Sequence, residues 1–327
     1  MPHHRSWLGV EFDGGPNVSA PRFSVIIPAY NSAKTLTRAI NSVLAQTWPA
    51  HEVIVVDDAS SDETGDVAAT FGKHIRYLRR EHNAGVSAAR NYGVEQATGD
   101  WLAFLDADDW YFSDRLKVHA EWIAQDPSLD FLTGDYEYRN EKGEFLSLSM
   151  DQHPSGRAMI KKAQGTQRVL MEGDEFEDFV ADHFGDTHTL SVSRDLFLKA
   201  GGYPLGFKVC EDVHLLTRIV ALSRRAGVIC QPLGVYLIHG ASATRRDPVT
   251  AQRENVRTLS DLEGLAQTFP EAVRLGVKQR MQTARYNLAC ALIRNKQRSA
   301  AVRAVLPSLV SNPGWRSVRD VLSILKG

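Results

Sequence analysis

The chain has 327 residues, of which 43% are hydrophobic and 24% are charged, and its formal net charge is −1. This length and composition predict a globular protein of about two domains with a sizeable core. No run approaches the ~18 apolar residues that a membrane-spanning helix needs, and the first 15 residues lack the apolar centre of a signal peptide. The composition argues against a membrane-spanning or secreted protein, and we expect a cytoplasmic one.

Charge is unevenly distributed along the chain. Residues 251–327 hold 13 Lys and Arg against 5 Asp and Glu, whereas residues 1–250 hold 25 against 34. A basic tail on an acidic body indicates either contact with an anionic membrane surface or, more simply, a solvated helical face. Cys210, Cys230 and Cys290 are too far apart in sequence for a zinc or redox motif, and we expect plain thiols.

Strand-like and helical patterns alternate over the first 105 residues. We expect strands at 23–30, 51–58, 75–80 and 101–105. Apolar residues at helical spacing predict helices within 31–47, 60–71 and 83–97. The second helix is expected to open with a capping box from Ser60 to Glu63, and the third to begin after Gly85. The alternation predicts an α/β fold with a parallel sheet covered by helices on both faces.

Polar side chains follow three of these strands. Tyr30 and Asn31 follow the first, Asp57 and Asp58 end the second, and residues 106–109 contain three aspartates after the fourth. The carboxyl ends of parallel strands meet at one edge of a sheet, where ligands bind. Three neighbouring carboxylates repel one another unless a positive group offsets the repulsion. The combination suits a nucleotide base, a ribose and a divalent cation that neutralises a diphosphate.

The remainder of the chain has a different pattern. We expect strands at 131–140 and 144–150, no clear element over 151–182, and a strand, a short helix and a glycine turn over 187–204. A helix within 208–227 carries Glu211 and Asp212 in its first turn. From about residue 250 only helices are expected, and one helical hairpin over 284–309 is similar to a tetratricopeptide unit, although a single copy does not establish a repeat.

Four segments in this order resemble the family-two glycosyltransferases. They are FSVIIPAYN, EVIVVDDASSDET, NAGVSAARNYGVEQATGDWLAFLDADDW and CED at 210–212. The resemblance covers residues 22 to about 240 and implies the glycosyltransferase A fold, a Rossmann-like mixed, mostly parallel sheet with helices on both faces. It divides the chain into a flexible leader at 1–21, a catalytic domain at 22–245 and a helical C-terminal region at 246–327.

The same resemblance implies roles for individual residues. Contacts to the nucleotide sugar are implied for Pro28, Ala29, Tyr30, Asp58, Arg90 and Asp106. Asp108 would ligate a divalent metal, Mn²⁺ or Mg²⁺, and His239 is a candidate to complete the metal shell. Asp212 would be the catalytic base. His183 and His188 lie where residues that face the acceptor are expected.

These assignments imply a metal-dependent inverting glycosyltransferase. It would move a sugar from a nucleoside diphosphate donor, expected to be a UDP-sugar, to an acceptor hydroxyl. The expected partners are the nucleotide-sugar donor and a glycan or lipid-linked acceptor, with no nucleic acid and with peripheral membrane contact through the basic tail. Cell-surface polysaccharide or glycoconjugate assembly is the expected setting.

Three alternative functions fit the sequence less well. A haloacid dehalogenase-like phosphotransferase also has a strand ending in DxD, but on its opening strand. A dinucleotide-dependent oxidoreductase would need G-x-G-x-x-G after the first strand, where this chain has PAYNSA. A non-catalytic nucleotide-sugar-binding scaffold would have no need of both Asp108 and Asp212.

Overall fold

A computed structural model describes residues 20–239, 247–311 and 313–326. Of the predicted leader, only residues 20 and 21 fall within these ranges, and the predicted domain boundary at 245/246 lies outside them. Within the described ranges, no helix is both long enough and apolar enough to cross a bilayer.

The described strands form one mixed sheet. Their bounds are β1 Phe23–Ala29, β2 Glu52–Asp57, β3 Arg76–Arg79, β4 Trp101–Phe104, β5 Trp110–Tyr111, β6 Phe131–Asn140, β7 Phe145–Leu148, β8 Arg168–Glu172, β9 Ser191–Ser193 and β10 Arg225–Ile238. The order across the sheet is β3-β2-β1-β4-β9-β6-β10-β5, with β7 paired to β6 and β8 paired to β10. Strands β3, β2, β1 and β4 are parallel, β6 pairs in parallel with β10, and β9 is antiparallel to both β4 and β6. The predicted mixed α/β sheet is therefore confirmed.

Helices connect these strands and continue beyond them. Their bounds are α1 Leu36–Leu44, α2 Thr64–Ala69, α3 Val86–Gln96, α4 Arg115–Gln125, α5 Ser149–Gln152, α6 Pro154–Ala163, α7 Glu175–Ala181, α8 Arg194–Lys199, α9 Glu211–Leu222, α10 Pro248–Leu265, α11 Glu271–Arg294, α12 Arg298–Val305, α13 Ser308–Ser311 and α14 Trp315–Lys326. The segment 151–182, which the sequence left unassigned, contains α6, β8 and α7 and the end of α5.

Both faces of the parallel half of the sheet are buried. On β1, Ile26 belongs to one hydrophobic cluster, whereas Val25 and Ile27 belong to a second one. Because successive side chains of a strand point to opposite faces, a strand covered on both sides must be apolar throughout. This explains why FSVIIPA is a continuous apolar run.

The C-terminal helices pack in two ways. Leu259 on α10 and Val277 on α11 belong to the larger cluster that also contains Ile26 on the sheet. Val321 and Ile324 on α14 belong to a separate cluster formed within the helical region. The first helices of this region therefore share a hydrophobic core with the sheet, and the last helix packs on its helical neighbours.

One local prediction, the start of the second helix, was wrong. The capping box from Ser60 to Glu63 does not form, because α2 begins at Thr64 and the Ser60 side chain instead accepts from the backbone N–H of Asn31 at 2.9 Å. The Asp62 carboxylate accepts from the N–H of Thr64 at 3.0 Å. The hydroxyl of Ser60 thus joins the ends of β1 and β2 instead of starting a helix.

Candidate functional site

Two adjoining cavities lie at the carboxyl ends of the parallel strands. The larger, here named the strand-end cavity, measures about 960 Å³ and is lined by Pro28, Tyr30, Asn31, Ser32, Lys34, Thr35, Arg38, Asp62, Val86, Asp106, Ala107, Asp108, Glu141, Leu237 and His239. The second, here named the inner cavity, measures about 440 Å³ and is lined by Val86, Arg90, Asp106, Tyr136, Tyr138, His153, His183, Gly185, Asp186, Thr187, Lys208, Val209, Cys210, Glu211, Asp212, Val213, Tyr236 and Arg280. Val86 and Asp106 belong to both linings, so the two cavities meet there.

Asp106 accepts a hydrogen bond from an arginine on α3, the helix that precedes β4 in the chain. The Arg90 guanidinium on α3 donates to Asp106 Oδ1 at 2.6 Å and to Glu211 Oε1 at 3.0 Å. It also lies 4.8 Å from the centre of the Tyr203 ring. Arg90 is only 3% exposed, so the two carboxylates compensate a buried charge. A direct contact from Arg90 to a nucleotide stays a prediction.

Asp108 pairs with the histidine that the sequence singled out. His239 Nε2 lies 2.7 Å from Asp108 Oδ2, although 131 residues separate them in sequence. The buried Asp109 carboxylate accepts from the N–H of Leu237 at 2.8 Å, which fixes the end of β10 two residues before His239. Burial and the neighbouring acids hold the pKa of Asp109 well above its ordinary range. Asp109 therefore joins the segment after β4 to the end of β10, from which His239 follows.

The donor atoms of this pair fit a hard or borderline divalent cation. A carboxylate oxygen and an imidazole nitrogen face the same cavity, with 38% of the Asp108 side chain and 24% of the His239 side chain exposed. No group of three or more His, Cys, Asp or Glu suited to a metal occurs in the described part of the chain. Mg²⁺-type sites commonly use one or two protein ligands and complete the shell with substrate phosphates and water. Two protein ligands thus match a cation that arrives with a diphosphate.

The end of β1 presents one exposed aromatic ring to the strand-end cavity. Tyr30 is 52% exposed, and Pro28 lies beside it in the lining, whereas Ala29 is buried in the core. Asn31 follows in the left-handed region with φ of 50°, a conformation that concentrates at functional turns. An accessible tyrosine at this position suits stacking on a planar base.

Asp57 and Asp58 are both buried and hydrogen-bonded within the protein. Asp58 accepts from Arg80 Nη1 at 2.7 Å and from the N–H of Gly85 at 2.7 Å. Asp57 accepts from the Tyr77 hydroxyl at 2.5 Å and from Arg79 Nη1 at 2.9 Å. The bonds of Asp58 hold the turn that leads into α3, and those of Asp57 join β2 to β3. A contact between Asp58 and the nucleotide base stays a prediction. The base would have to donate to an Asp58 oxygen that already accepts from Arg80 or Gly85.

Asp212 lies in the first turn of α9 and forms a carboxyl pair with Asp186. The Asp212 carboxyl group interacts with that of Asp186, which precedes the short helical turn at Thr187–Thr189. Burial first, and then the charge of Asp186, raises the pKa of Asp212 from 3.8 to about 7. Burial also raises the pKa of Asp186. A carboxyl group with a pKa near neutrality is suited to exchange a proton with a substrate.

The remaining wall of the inner cavity is aromatic. The rings of Tyr136, Tyr138 and Tyr236 contact one another, with the Tyr136 and Tyr138 hydroxyls 2.8 Å apart. His183 lines this cavity, and its expected position facing the acceptor stays a prediction. His188 does not fulfil the expectation, because it is 2% exposed and packs edge-on against Tyr136 at 4.4 Å between ring centroids.

The structure adds site residues that the sequence did not indicate. Asp186, Lys208 and Arg280 all line the inner cavity, yet none lies in a recognisable motif. Asp186 is 26 residues from Asp212, and Arg280 comes from the helical C-terminal region. Only the packing of distant elements brings them together, so no local sequence pattern could have found them.

Sequence comparison links the chain to known proteins. The family model described as Glycosyl transferase family 2 matches residues 24–185. The uncharacterized glycosyltransferase YibD of Escherichia coli is 42% identical over 269 residues, which are 79% of this chain and 74% of that protein. An uncharacterized glycosyltransferase of Rickettsia felis, 38% identical over 133 residues, is much longer, and the match spans 22% of it.

Two solved structures share the fold. Staphylococcus aureus TarS 1–349 in complex with UDP superposes with a TM-score of 0.61 at 19% identity, covering 89% of this chain and 81% of that one. The mannosyltransferase PcManGT of Pyrobaculum calidifontis, in complex with GDP-Man and Mn²⁺, superposes with a TM-score of 0.58 at 19% identity, covering 98% and 84%. The likeness at this identity establishes the common architecture.

Proposed function

The chain belongs to the family-two glycosyltransferases, and on that premise we propose that it is a metal-dependent inverting enzyme that transfers a sugar from a UDP-sugar to an acceptor hydroxyl. One observation carries the proposal. The Asp108 and His239 pair lines one cavity, Asp212 lines the other, and the two cavities meet at Asp106. This arrangement supports a leaving group in the first cavity and an attacking hydroxyl in the second.

The strand-end cavity suits the nucleoside diphosphate. Tyr30 offers a ring for the base, while Lys34 and Arg38 are cationic side chains in the same lining. A divalent cation held by Asp108 and His239 would stabilise the negative charge on the diphosphate. Binding of UDP by TarS and of GDP-Man and Mn²⁺ by PcManGT supports this assignment of the cavity.

The inner cavity suits the acceptor. With Asp212 ionised, its carboxylate removes the proton from an acceptor hydroxyl as that oxygen attacks the anomeric carbon of the donor. The new carbon–oxygen bond forms as the bond to the β-phosphate oxygen breaks, and the electron pair of that bond leaves with the diphosphate. Attack from the face opposite the leaving group inverts the anomeric centre. The tyrosine wall of Tyr136, Tyr138 and Tyr236 offers apolar surface to a sugar ring.

The burial of Asp212 argues against a non-catalytic scaffold. A carboxyl group whose pKa is raised by burial destabilises the fold whenever it ionises, and a scaffold gains nothing from that cost. The dehalogenase-like alternative is also disfavoured, because the nucleophile of that family would correspond to Asp106, which here pairs with Arg90 after the fourth strand.

We also propose peripheral contact of α14 with an anionic membrane, which fits assembly of cell-surface glycans. Trp315 is 77% exposed and Leu325 is 60% exposed, and Arg316 and Arg319 lie on the same helix. Val321 is buried. We expect the full chain to cosediment with anionic vesicles and the Trp315→Ser, Leu325→Ser double variant to lose this binding. Equal sedimentation of both proteins would contradict the membrane contact.

The enzymatic proposal is tested by a screen of nucleotide sugars. UDP- and GDP-sugars are incubated with the protein and Mn²⁺ or Mg²⁺, and release of the nucleoside diphosphate is measured. We expect slow hydrolysis of one UDP-sugar, with water replacing the acceptor. If GDP-sugars alone are cleaved, the UDP assignment is wrong, and if none is cleaved, the transferase proposal loses its support.

A further inference from the structure

Helix α11 reaches the inner cavity because a glycine lets it approach α7 closely. A Cβ at Gly276 would lie 2.6 Å from the Glu177 carbonyl oxygen and 2.8 Å from Val180 Cβ, so only glycine fits. Gln279 Nε2 donates to Glu177 Oε1 at 2.5 Å and fixes the rotation of the helix. Arg280 lies four residues after Gly276, on the same face, and its side chain lines the inner cavity.

Arg280 has no anionic partner among the described residues. Within the part of the chain that the structure describes, its one hydrogen bond runs from Nη1 to the Val180 carbonyl oxygen at 3.4 Å, which leaves most of its five donors without a partner there. Burial lowers the pKa of this guanidinium. Arg90, in the same lining, is compensated by two carboxylates. A partly buried arginine without an ion pair is costly unless an anion is supplied from outside.

The acids nearest to Arg280 already have partners. The Asp212 carboxyl group interacts with Asp186, and Asp182 Oδ1 lies 2.7 Å from His153 Nδ1. The second oxygen of Asp182 is buried and unpartnered among the described residues, so an internal pair between Asp182 and Arg280 is the competing explanation. Lys208 adds a second, exposed cation to the lining.

We propose that the acceptor carries an anionic group, a phosphate or a carboxylate, and that Arg280, assisted by Lys208, binds this group while the acceptor hydroxyl faces Asp212. This inference rests on the proposed function, since it names the class of acceptor. The donor diphosphate is not the expected ligand, because Lys34, Arg38 and the Asp108 and His239 pair line the other cavity. A guanidinium binds either oxyanion through paired hydrogen bonds.

The test uses the full chain saturated with UDP and Mn²⁺, so that the strand-end cavity is filled. Glucose 6-phosphate, glucuronate and glucose are titrated by calorimetry against the wild type, Arg280→Gln, Arg280→Lys and Lys278→Gln. Lys278 is an exposed cation on the same helix and serves as the matched control. We expect the wild type to bind one of the anionic sugars at least about tenfold more tightly than glucose.

The variants separate the two explanations. Arg280→Gln should abolish the preference for the anion, Arg280→Lys should keep part of it, and Lys278→Gln should keep all of it. Preference for glucose 6-phosphate identifies a phosphate, and preference for glucuronate identifies a carboxylate. The inference is overturned if the wild type shows no preference for an anionic sugar, or if Arg280→Gln keeps that preference. In the second case, an equal loss of melting temperature in Asp182→Asn and Arg280→Gln would point to the internal pair between Asp182 and Arg280. Absence of UDP binding in the wild type would overturn the proposed function itself, and this inference with it.

Discussion

Asp212 at the start of α9 interacts through its carboxyl group with Asp186 at the start of the Thr187–Thr189 turn, and this interaction raises the pKa of Asp212. Two carboxyl groups in contact cannot both ionise without repulsion, so the protons leave in two steps that belong to the pair. Asp186 therefore adds to the effect of burial in raising the pH at which Asp212 ionises.

The first prediction concerns the pH dependence of sugar transfer. Because the base must be ionised and the pKa of Asp212 is raised to about 7, kcat/KM should rise with pH and level off above about 7. Asp186→Asn removes the neighbouring charge and should move the rise to lower pH. The exposed Asp195→Asn serves as control. An unchanged midpoint in Asp186→Asn would show that Asp186 does not tune the base.

The same shift has a consequence for stability. The pKa of Asp212 is higher in the folded state, at about 7, than its ordinary value of 3.8, so this group makes unfolding easier as pH rises from about 4 to 7. Asp212→Asn removes that penalty. At pH 8 we expect the free energy of unfolding of the variant, measured by urea denaturation, to exceed that of the wild type by on the order of 1 to 3 kcal/mol. At pH 4 the two free energies should be nearly equal. A destabilised variant at pH 8 would contradict the burial of an unfavourable charge.

A third prediction concerns Arg90, which joins two acids from different elements. Arg90→Met should cost about 3 to 5 kcal/mol of unfolding free energy, because it leaves Asp106 and Glu211 unpaired in a largely buried site. Adding Glu211→Gln should recover part of the loss, as urea denaturation of the single and double variants will show. Additive losses in the double variant would argue that the two residues are not coupled.

The fourth prediction concerns the metal pair. Mn²⁺ binding in the presence of UDP, followed by calorimetry, should weaken by at least about tenfold in Asp108→Asn and in His239→Ala. Glu141→Gln changes an exposed acid in the same cavity lining and should leave the affinity unchanged. If both variants bind Mn²⁺ as tightly as the wild type, Asp108 and His239 are not metal ligands, and their 2.7 Å contact is only a hydrogen bond.

The sequence predicted the parts of the fold that local patterns determine. The strands around Ile26 and Val55 are continuous apolar runs, and the placing of Asp108 and His239 followed from the family resemblance. The compensation of the aspartates was only partly anticipated: a cation was expected, whereas the protein itself supplies Arg90 to Asp106. That bond joins a helix to a strand end, a relation that apolar periodicity does not encode.

The residues that sequence reasoning missed depend on long-range packing. Arg280 reaches the inner cavity only because Gly276 permits contact between α11 and α7. A single glycine within a helical pattern does not predict which other helix it will contact. Asp186 acquires its significance from contact with Asp212, and no spacing rule connects the two. The helical region was predicted as an appendage, and it contributes a side chain to the site.

The proposal that Asp212 is the base can be tested most directly by two measurements on one variant, Asp212→Asn. This substitution keeps the size of the side chain but cannot accept the proton, so release of UDP from the UDP-sugar that the wild type cleaves should fall by roughly 10² to 10⁴. UDP affinity should stay within about twofold of the wild type, since Asp212 lines the inner cavity and the nucleotide is assigned to the strand-end cavity. Near-normal UDP release, or loss of UDP binding together with activity, would contradict the role of Asp212 as the base.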